Sequence, residues 1–250
     1  MNSEDIETAF PNNVLKNNNR MRLVLKLSGE FLAGEKGFGF DQAILDQLTD
    51  DIIEIKNMGH EIGVVLGGGN FFRGKELTII DRAAADNVGM LATIQNALVV
   101  SEVLKQKNYS TKVFSAFAVD KIAKYYTYSG ADKAMKKGKI CFFCAGTGNP
   151  FFTTDTAAVL RAIELNCDLV LKGTKVDGIY TSDPQKCSEA EFIPEISYSE
   201  AMNKQLNIMD MTAFSLARDY KIPLKVFNVT KKGNIKNAVL YKNVGTGVCE

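Results

Sequence analysis

The sequence predicts an α/β fold, a three-layer α/β/α sandwich with a mostly parallel central sheet. From residue 21 to the end, short apolar runs alternate with segments of helical period. This alternation is typical of successive strand–helix units whose sheet is covered on both faces. Several runs end in glycine-bearing polar stretches, as expected where an open α/β sheet binds ligands. No stretch rich in proline or serine divides residues 21–250, so we expect one domain there.

Composition excludes several classes of protein. Lys+Arg is 30 and Asp+Glu is 29, so the chain lacks the excess of basic residues that favours nonspecific binding of nucleic acid or an anionic membrane. No apolar run approaches the roughly 20 residues of a membrane span, and the N-terminus lacks a signal pattern. We therefore expect a soluble cytoplasmic protein. Residues 1–20, which are rich in asparagine, are expected to be a disordered extension outside the fold.

The cysteines and the single histidine restrict the chemistry. Five cysteines scattered through apolar segments favour reduced core thiols over disulfides. Cys141 and Cys144 resemble a redox or metal pair, but in a strand they point to opposite faces, which favours a structural role. His60 is the only histidine, so His-based metal sites and most His-dependent acid–base schemes are excluded. We expect His60 in a surface turn.

The first half of the chain contains the clearest elements. Apolar runs predict strands at 22–28, 60–66 and 111–115. Asp41 begins a helix with a broad apolar face, and Gly59 ends it as a C-terminal cap. Asp81 begins a second helix that extends to Lys107 with an apolar ridge. Residues 120–137 are expected to be helical or mixed.

The second half repeats the pattern. Strands are predicted at 139–145, 167–172 and 224–229, with an edge strand near 245–248. Thr153, Thr154 and Asp155 suit the N-terminal cap of a helix that follows the 139–145 strand. Further helices are expected at 198–220, interrupted near 208–210, and at 235–241.

Four polar loops carry the candidate chemistry: 28–39, 67–74, 146–155 and 173–184. Lys26 lies inside an apolar run, which is costly for an ammonium group unless an anion meets it. Arg73 suits phosphate oxygens, and Lys172 or Lys175 adds positive charge beside the last loop. The spacing of a Walker A motif occurs at 69–75, but Glu76 follows where Ser or Thr is required, so that motif fails.

Glycine-rich loops and separated cations without histidine favour phosphoryl transfer. That reaction depends on positioning and charge neutralisation more than on a covalent nucleophile. Mg²⁺ would be held largely by the phosphates of the substrates, with one or two carboxylates, so no protein cage for the metal is expected. A capped strand–helix connection without a ligand is the simpler alternative for residues 146–155.

Five segments resemble, in order, the motifs of bacterial-type uridylate (UMP) kinases, members of the amino-acid kinase superfamily. They are KLSGE at 26–30, GGGNFFRG at 67–74, GMLAT at 89–93, GTGNPFFTTD at 146–155 and the stretch 172–184. GTGNPFFTTD is specific to uridylate kinases, whereas the lysine and glycine motifs occur across the superfamily. The resemblance covers residues 21–250. It implies the amino-acid kinase fold and transfer of the γ-phosphoryl group of MgATP to UMP in pyrimidine nucleotide biosynthesis.

The resemblance also implies the catalytic and ATP-binding residues. Lys26, Arg73 and Asp155 would be catalytic, with Lys26 bridging the transferring phosphate and Asp155 organising Lys26 or the metal. ATP would contact residues of three loops: Lys26, Leu27, Ser28, Gly29, Gly69, Arg73, Thr174, Tyr180 and Asp183.

The acceptor and effector sites follow from the same resemblance. UMP would contact Gly68, Asp86 and one continuous segment: Thr147, Gly148, Asn149, Pro150, Phe151, Phe152, Thr153 and Thr154. A GTP activator would bind the loop formed by Gly34, Glu35, Lys36, Gly37, Phe38 and Gly39. The family is usually a homohexamer that UTP inhibits. Lys36 departs from the acidic or polar residue expected there.

Two alternatives remain at this point. Another superfamily member could phosphorylate a carboxylate or carbamate; it would keep Lys26 and the glycines but lack a pyrimidine-reading loop at 147–154. A non-catalytic nucleotide sensor on the same fold would be expected to lose Lys26, Arg73 and Asp155, all of which are present.

Overall fold

A computed structural model describes residues 20–72, 79–206, 208–241 and 243–250. Its helices are α1 Gly29–Leu32, α2 Gln42–Asn57, α3 Arg82–Gln106, α4 Tyr128–Lys136, α5 Thr154–Glu164, α6 Tyr198–Asn203, α7 Met211–Asp219 and α8 Asn234–Leu240. Its strands are β1 Arg22–Leu27, β2 Glu61–Leu66, β3 Thr111–Ser115, β4 Lys124–Tyr125, β5 Ile140–Cys144, β6 Leu169–Thr174, β7 Ile179–Tyr180, β8 Phe192–Ile193, β9 Glu195–Ser197, β10 Leu224–Asn228 and β11 Thr246–Cys249.

Within these ranges, nine strands form one sheet in the order β4-β3-β5-β2-β1-β6-β10-β11-β9. Neighbouring strands pair in parallel except β10 with β11, which are antiparallel. Strands β7 and β8 form a separate antiparallel pair. Because β1 lies between β2 and β6, the loops that follow these three strands meet at one edge of the sheet.

Both faces of the sheet are covered, which confirms the predicted three-layer sandwich. Alternate residues of β1 point to opposite faces, as the strand period requires. Leu23 and Leu25 pack in the layer of α2, α3 and α8, whereas Val24 packs in the layer of α4, α5 and α7. The most deeply buried side chains of this core are aliphatic and aromatic residues on both sides of the sheet.

Helix α3 is the one helix in the described ranges whose length and composition would suit a membrane span. Half of its most apolar window is buried inside the protein. Its apolar residues Ile94 and Val100 belong to the core beneath the sheet, which accounts for its hydropathy.

Four of the five thiols lie in the core as predicted, whereas Cys187 is only partly buried. All five cysteines are free, and Cys141, Cys144, Cys167 and Cys249 are buried. Cys141 and Cys144 belong to the core layers on opposite faces of the sheet. Burial raises the pKa of both thiols to about 12, so neither is poised as a nucleophile.

Three expectations about local structure are wrong. His60 is buried rather than in a surface turn, and its Nδ1 accepts a hydrogen bond from the Met21 N–H. Strand β11 is not an edge strand, because β9 pairs along its outer side. The 28–39 segment is not a plain loop, since it contains α1 and a short 3-10 helix at Gly34–Lys36.

Asp51 on α2 is a buried acid that costs stability. Its Oδ1 accepts a hydrogen bond from Gly233 N at 3.0 Å, but its buried Oδ2 has no hydrogen-bond partner. Desolvation raises the pKa of Asp51 to about 6. Because the folded pKa lies above the unfolded value of about 3.9, ionisation of Asp51 favours the unfolded state. The folded protein is therefore more stable at low pH, and this stability is lost as pH rises through about 6.

We expect Asp51→Asn to stabilise the protein at pH 8 by about 1–2 kcal/mol, a value reduced for partial solvent screening. The amide keeps an oxygen for the Gly233 N–H and removes the buried charge. The gain should vanish near pH 4, where Asp51 of the folded parent is as neutral as the asparagine of the variant. Urea denaturation at the two pH values measures it. Asp50→Asn removes an exposed charge from the same helix and should change stability by less than about 0.5 kcal/mol at either pH.

Candidate active site

Two lysines lie side by side at the carboxyl ends of neighbouring parallel strands. Lys26 of β1 and Lys172 of β6 are register partners. Each is only 8% exposed. Both meet the carboxylate of Asp155 in the first turn of α5, with Lys26 Nζ 2.6 Å from Oδ1 and Lys172 Nζ 2.6 Å from Oδ2. Asp155 is therefore the anion that the buried Lys26 requires.

The Lys26–Asp155–Lys172 cluster carries a net charge of +1 when all three groups are ionised. Burial alone would raise the pKa of Asp155, but the two lysines hold it below its ordinary value. Burial lowers the pKa of Lys172, and Asp155 opposes that effect. A positive cluster at a sheet edge favours an anionic ligand.

Helix α5 begins at this cluster. Thr153 is its N-terminal cap, and its hydroxyl accepts from the Asp155 and Thr156 N–H groups. The hydroxyl fixes the first turn, and with it the direction of the Asp155 side chain. The predicted cap in the 146–155 loop is thus confirmed.

The glycine loop after β2 packs against the loop after β1. A Cβ on Gly29 would lie 2.5 Å from both Asn70 Oδ1 and Gly67 O, so only glycine fits there. Asn70 and Asn96 are buried and exchange side-chain hydrogen bonds, and Asn96 Nδ2 donates to Gly67 O. This amide pair, which sequence reasoning missed, holds the shape of the glycine loop.

A cavity of about 590 Å³, here called the glycine-loop cavity, opens beside the cluster. Predicted site residues from four segments of the chain line it: Ser28, Gly68, Gly69, Asp86, Asn149, Phe152, Thr153 and Thr154. Thr147, Gly148, Pro150 and Phe151 belong to the same loop but are not among its lining residues. Phe151 and Phe152 are 69% and 47% exposed. The Thr147 hydroxyl bonds only within the loop, to Asn149.

Asp86 already holds two protein groups. Arg82 Nε donates to its Oδ1 at 2.8 Å, and Phe151 N donates to its Oδ2 at 2.8 Å. The second bond ties the 146–155 loop to α3. A carboxylate has about four acceptor positions, so Asp86 keeps room for a ligand hydroxyl.

A second cavity of about 630 Å³, here called the hairpin cavity, lies near β7. Thr174, Tyr180 and Asp183, all predicted to contact ATP, line it together with Lys175 and Ile208. Ile208 O also accepts a hydrogen bond from Lys172 Nζ. The cluster thus contacts the wall of the hairpin cavity through Lys172, and Asp155 directly follows Thr154, which lines the glycine-loop cavity.

The remaining predicted residues have different positions. Leu27 and Gly29 are buried under the glycine loop, and Leu27 O accepts from Gly67 N. Lys175 is largely exposed, 3.9 Å from Glu30, so Lys172 and not Lys175 joins the buried cluster. Arg73 lies outside the described residues, as do most of residues 1–20.

The predicted effector loop contacts the glycine loop directly. Gly39 N donates to Asn70 O, and Asn70 Nδ2 donates to Gly39 O. Phe38, which is 67% exposed, packs edge-on against Phe71 at 5.5 Å between ring centroids. Lys36 pairs with Asp41 at 3.4 Å.

Sequence reasoning also missed Asp210. Its carboxylate accepts hydrogen bonds from the hydroxyls of Thr153 and Thr156. The only local signal was the expected helix interruption near 208–210, which says nothing about a partner in α5.

Comparisons with known proteins identify the family of this chain. The sequence model of the amino acid kinase family matches residues 21–228. A uridylate kinase of Pseudoalteromonas atlantica is 46% identical over 230 residues, covering 91% of this chain and 93% of the relative. One of Alcanivorax borkumensis is 44% identical over 242 residues and 96% of each chain.

Solved structures give the same result. The crystal structure of UMP kinase from Bacillus anthracis superposes with a TM-score of 0.89 at 37% identity, covering 92% of this chain and 97% of that one. Match lengths and identities of this size identify a family rather than a fold alone. The chain therefore belongs to the amino acid kinase family and, within it, to the uridylate kinases.

Proposed function

We propose that this chain transfers the γ-phosphoryl group of ATP to UMP, giving UDP and ADP. The observation that carries the proposal is the buried Lys26–Asp155–Lys172 cluster, which adjoins two separate cavities of nucleotide size. A phosphoryl transfer between two nucleotides needs two such cavities that meet at positive charge. The relatives named uridylate kinases support UMP as the acceptor.

We assign ATP to the hairpin cavity and UMP to the glycine-loop cavity. In the first, the Tyr180 ring offers a face to the base, with Thr174 and Asp183 nearby. In the second, Asp86, Thr153 and Thr154 surround the nucleotide. Backbone groups of Leu27, Ser28, Gly29 and Gly69, with Arg73, would hold the ATP phosphates.

The chain's own contribution to the reaction is charge and position. A UMP phosphate oxygen is already anionic and attacks the γ-phosphorus without a general base. Lys26 and Lys172 would stabilise the negative charge on the transferring group. The N-terminus of α5, where Asp155 lies, adds the partial positive charge of the helix dipole. Asp155 holds both lysines in position.

The residues present fit a divalent cation, which we propose is Mg²⁺, that enters with the nucleotide. Both Asp155 oxygens contact lysines, and the described ranges contain no group of three or more His, Cys, Asp and Glu side chains suited to a metal. Phosphate oxygens would therefore supply most of its ligands. When bound, the cation supplies further neutralisation of the phosphates.

An ADP-release assay coupled to NADH oxidation tests the function, with UMP, CMP, acetylglutamate and carbamate as acceptors. We expect turnover with UMP to exceed that with each of the others. Turnover with acetylglutamate and none with UMP would instead assign the chain to the enzymes that form acyl phosphates. ATP binding without turnover of any acceptor would favour a nucleotide sensor.

Thr154 tests the assignment of the cavities. We expect Thr154→Val to raise KM for UMP about tenfold and to leave KM for ATP within twofold, because Thr154 lines the glycine-loop cavity and not the hairpin cavity. Steady-state kinetics with each substrate varied in turn measure both constants. An equal rise in the two KM values would show that the acceptor cavity has been misplaced.

We also propose that residues 34–39 bind a GTP activator, that UTP inhibits, and that the chain forms a homohexamer in the cytoplasm. The contacts of Gly39 with Asn70 support an effector loop that acts on the glycine loop. Titration of GTP and UTP into the assay, with the mass in solution measured by light scattering, tests these points. Residues 1–20 are proposed to lie outside the catalytic domain, and deletion of residues 1–19 should leave kcat unchanged.

A further inference from the structure

Asp210 joins the beginnings of two helices. As the N-terminal cap of α7, it accepts from Ala213 N at 2.9 Å. The same carboxylate accepts a hydrogen bond from Thr156 Oγ1 of α5 at 2.9 Å. It also accepts one from the hydroxyl of Thr153, the N-terminal cap of α5. Capping α7 requires only the first of these bonds. The other two connect α7 to the helix that carries Asp155.

The Thr153 hydroxyl has one proton, and its direction matters. Its oxygen accepts from Asp155 N at 3.0 Å, so the proton must point away from the helix. Asp210 receives that proton. Asp210 thereby fixes the hydroxyl as an acceptor for the Asp155 N–H, and so fixes the first turn of α5.

The segment that holds Asp210 also contacts the other side of the site. Two residues earlier, Ile208 O accepts a hydrogen bond from Lys172 Nζ, and Ile208 lines the hairpin cavity. Thr153 lines the glycine-loop cavity. Ile208 thus links a wall of the hairpin cavity to Lys172. Asp210, through Thr153, links a wall of the glycine-loop cavity to Asp155.

We infer that Asp210 is a positioning residue: it sets the relative placement of Asp155, its two lysines and the acceptor loop for phosphoryl transfer. The inference rests on the proposed function. Asp210 need not touch either nucleotide. Its effect would appear in kcat, since a displacement of about 1 Å at a transfer site can cost about 100-fold in rate.

Two substitutions separate this role from helix capping. Asp210→Ser keeps a capping oxygen for Ala213 N but is too short to reach Thr153 and Thr156. Asp210→Asn keeps the length but offers one acceptor oxygen for the two that Asp210 uses, Oδ1 for Ala213 N and Oδ2 for the Thr153 hydroxyl. We expect the serine variant to lower kcat about 10- to 100-fold with KM for ATP within threefold and the melting temperature nearly unchanged. The asparagine variant keeps the reach to Thr153 and Thr156 but loses one acceptor, so its kcat should lie between those of the parent and the serine variant.

Thr156→Val removes the second hydroxyl at nearly constant volume and should lower kcat several-fold. In combination with Asp210→Ser it should add little, because both changes break the same connection. Thr49→Val is the matched control: Thr49 is also a buried helical threonine, bonded to Leu45 O at 2.8 Å on α2, away from both cavities. It should lower the melting temperature without changing kcat per folded molecule.

Turnover of UMP by the parent protein, measured in the same experiment, tests the proposed function separately from the role of Asp210. If the parent turns over UMP and Asp210→Ser retains its kcat, the positioning role is wrong and Asp210 is only a helix cap. Fully additive effects of the serine and valine changes would also overturn it. A fall in kcat that matches the loss of folded protein would assign Asp210 to stability alone.

Discussion

Lys26→Ala should lower kcat by about 100- to 1000-fold or more while leaving the protein folded. Lys26 is the buried cation of β1 that pairs with Asp155, and loss of one preorganised charge at a phosphoryl-transfer site has an effect of this size. Its removal leaves Asp155 paired with Lys172, a neutral buried pair. Stability should therefore fall only modestly.

The measurement is kcat in the ADP-release assay, with thermal melting of the same samples. Lys139→Ala is a suitable control, because Lys139 precedes β5 at the opposite edge of the sheet from the cluster. It should leave kcat within twofold. A Lys26→Ala protein with kcat within threefold of the parent would show that this lysine serves only to neutralise Asp155.

Asp155→Asn should have a large effect on stability as well as on rate. The substitution leaves two buried ammonium groups, Lys26 and Lys172, facing each other without an anion. Removing one partner of a buried ion pair typically costs about 3–5 kcal/mol of unfolding free energy. Rate should fall too, since neither lysine keeps its position.

Urea denaturation at pH 8 measures the loss. The lowered pKa of Asp155 means that its contribution to stability is present above its unfolded pKa and disappears only as pH falls through the still lower folded value. The parent and Asp155→Asn should therefore differ fully at neutral pH. A loss below about 1 kcal/mol would mean that the two lysines are neutral or solvated in the folded protein.

A second substitution tests whether unpaired charge, rather than a change of shape, causes the loss of stability. Adding Lys172→Met to Asp155→Asn removes one of the two unpaired charges and should restore part of the lost stability. It should not restore activity, because the doubly substituted site has lost both the carboxylate and a lysine. Recovery of both would contradict the assigned roles.

Sequence patterns located most of the elements that build the site. The apolar runs at 22–28, 60–66 and 139–145 became β1, β2 and β5, with boundaries shifted by a residue or two. The predicted helix at 198–220 proved to be α6 and α7. The short strands β7, β8 and β9 were missed, since two or three residues carry no detectable period.

Errors occurred where distant chain segments override local preference. His60 lies at the start of a predicted strand beside a glycine, which suggests a turn, yet its ring is buried and accepts from Met21 N. The terminal strand β11 was expected at an edge because it ends the chain. Its neighbour β9 comes from residues 195–197, and no local feature of either strand indicates the pairing.

The sequence by itself determined the strand–helix alternation, the glycine loops at strand ends and the need of Lys26 for an anion, because these depend on neighbours along the chain. Tertiary structure alone decided that the anion is Asp155, that Lys172 rather than Lys175 shares it, and that Asp210 joins α7 to α5. Those contacts depend on strand order and register, which bring residues far apart in the chain within about 3 Å of each other.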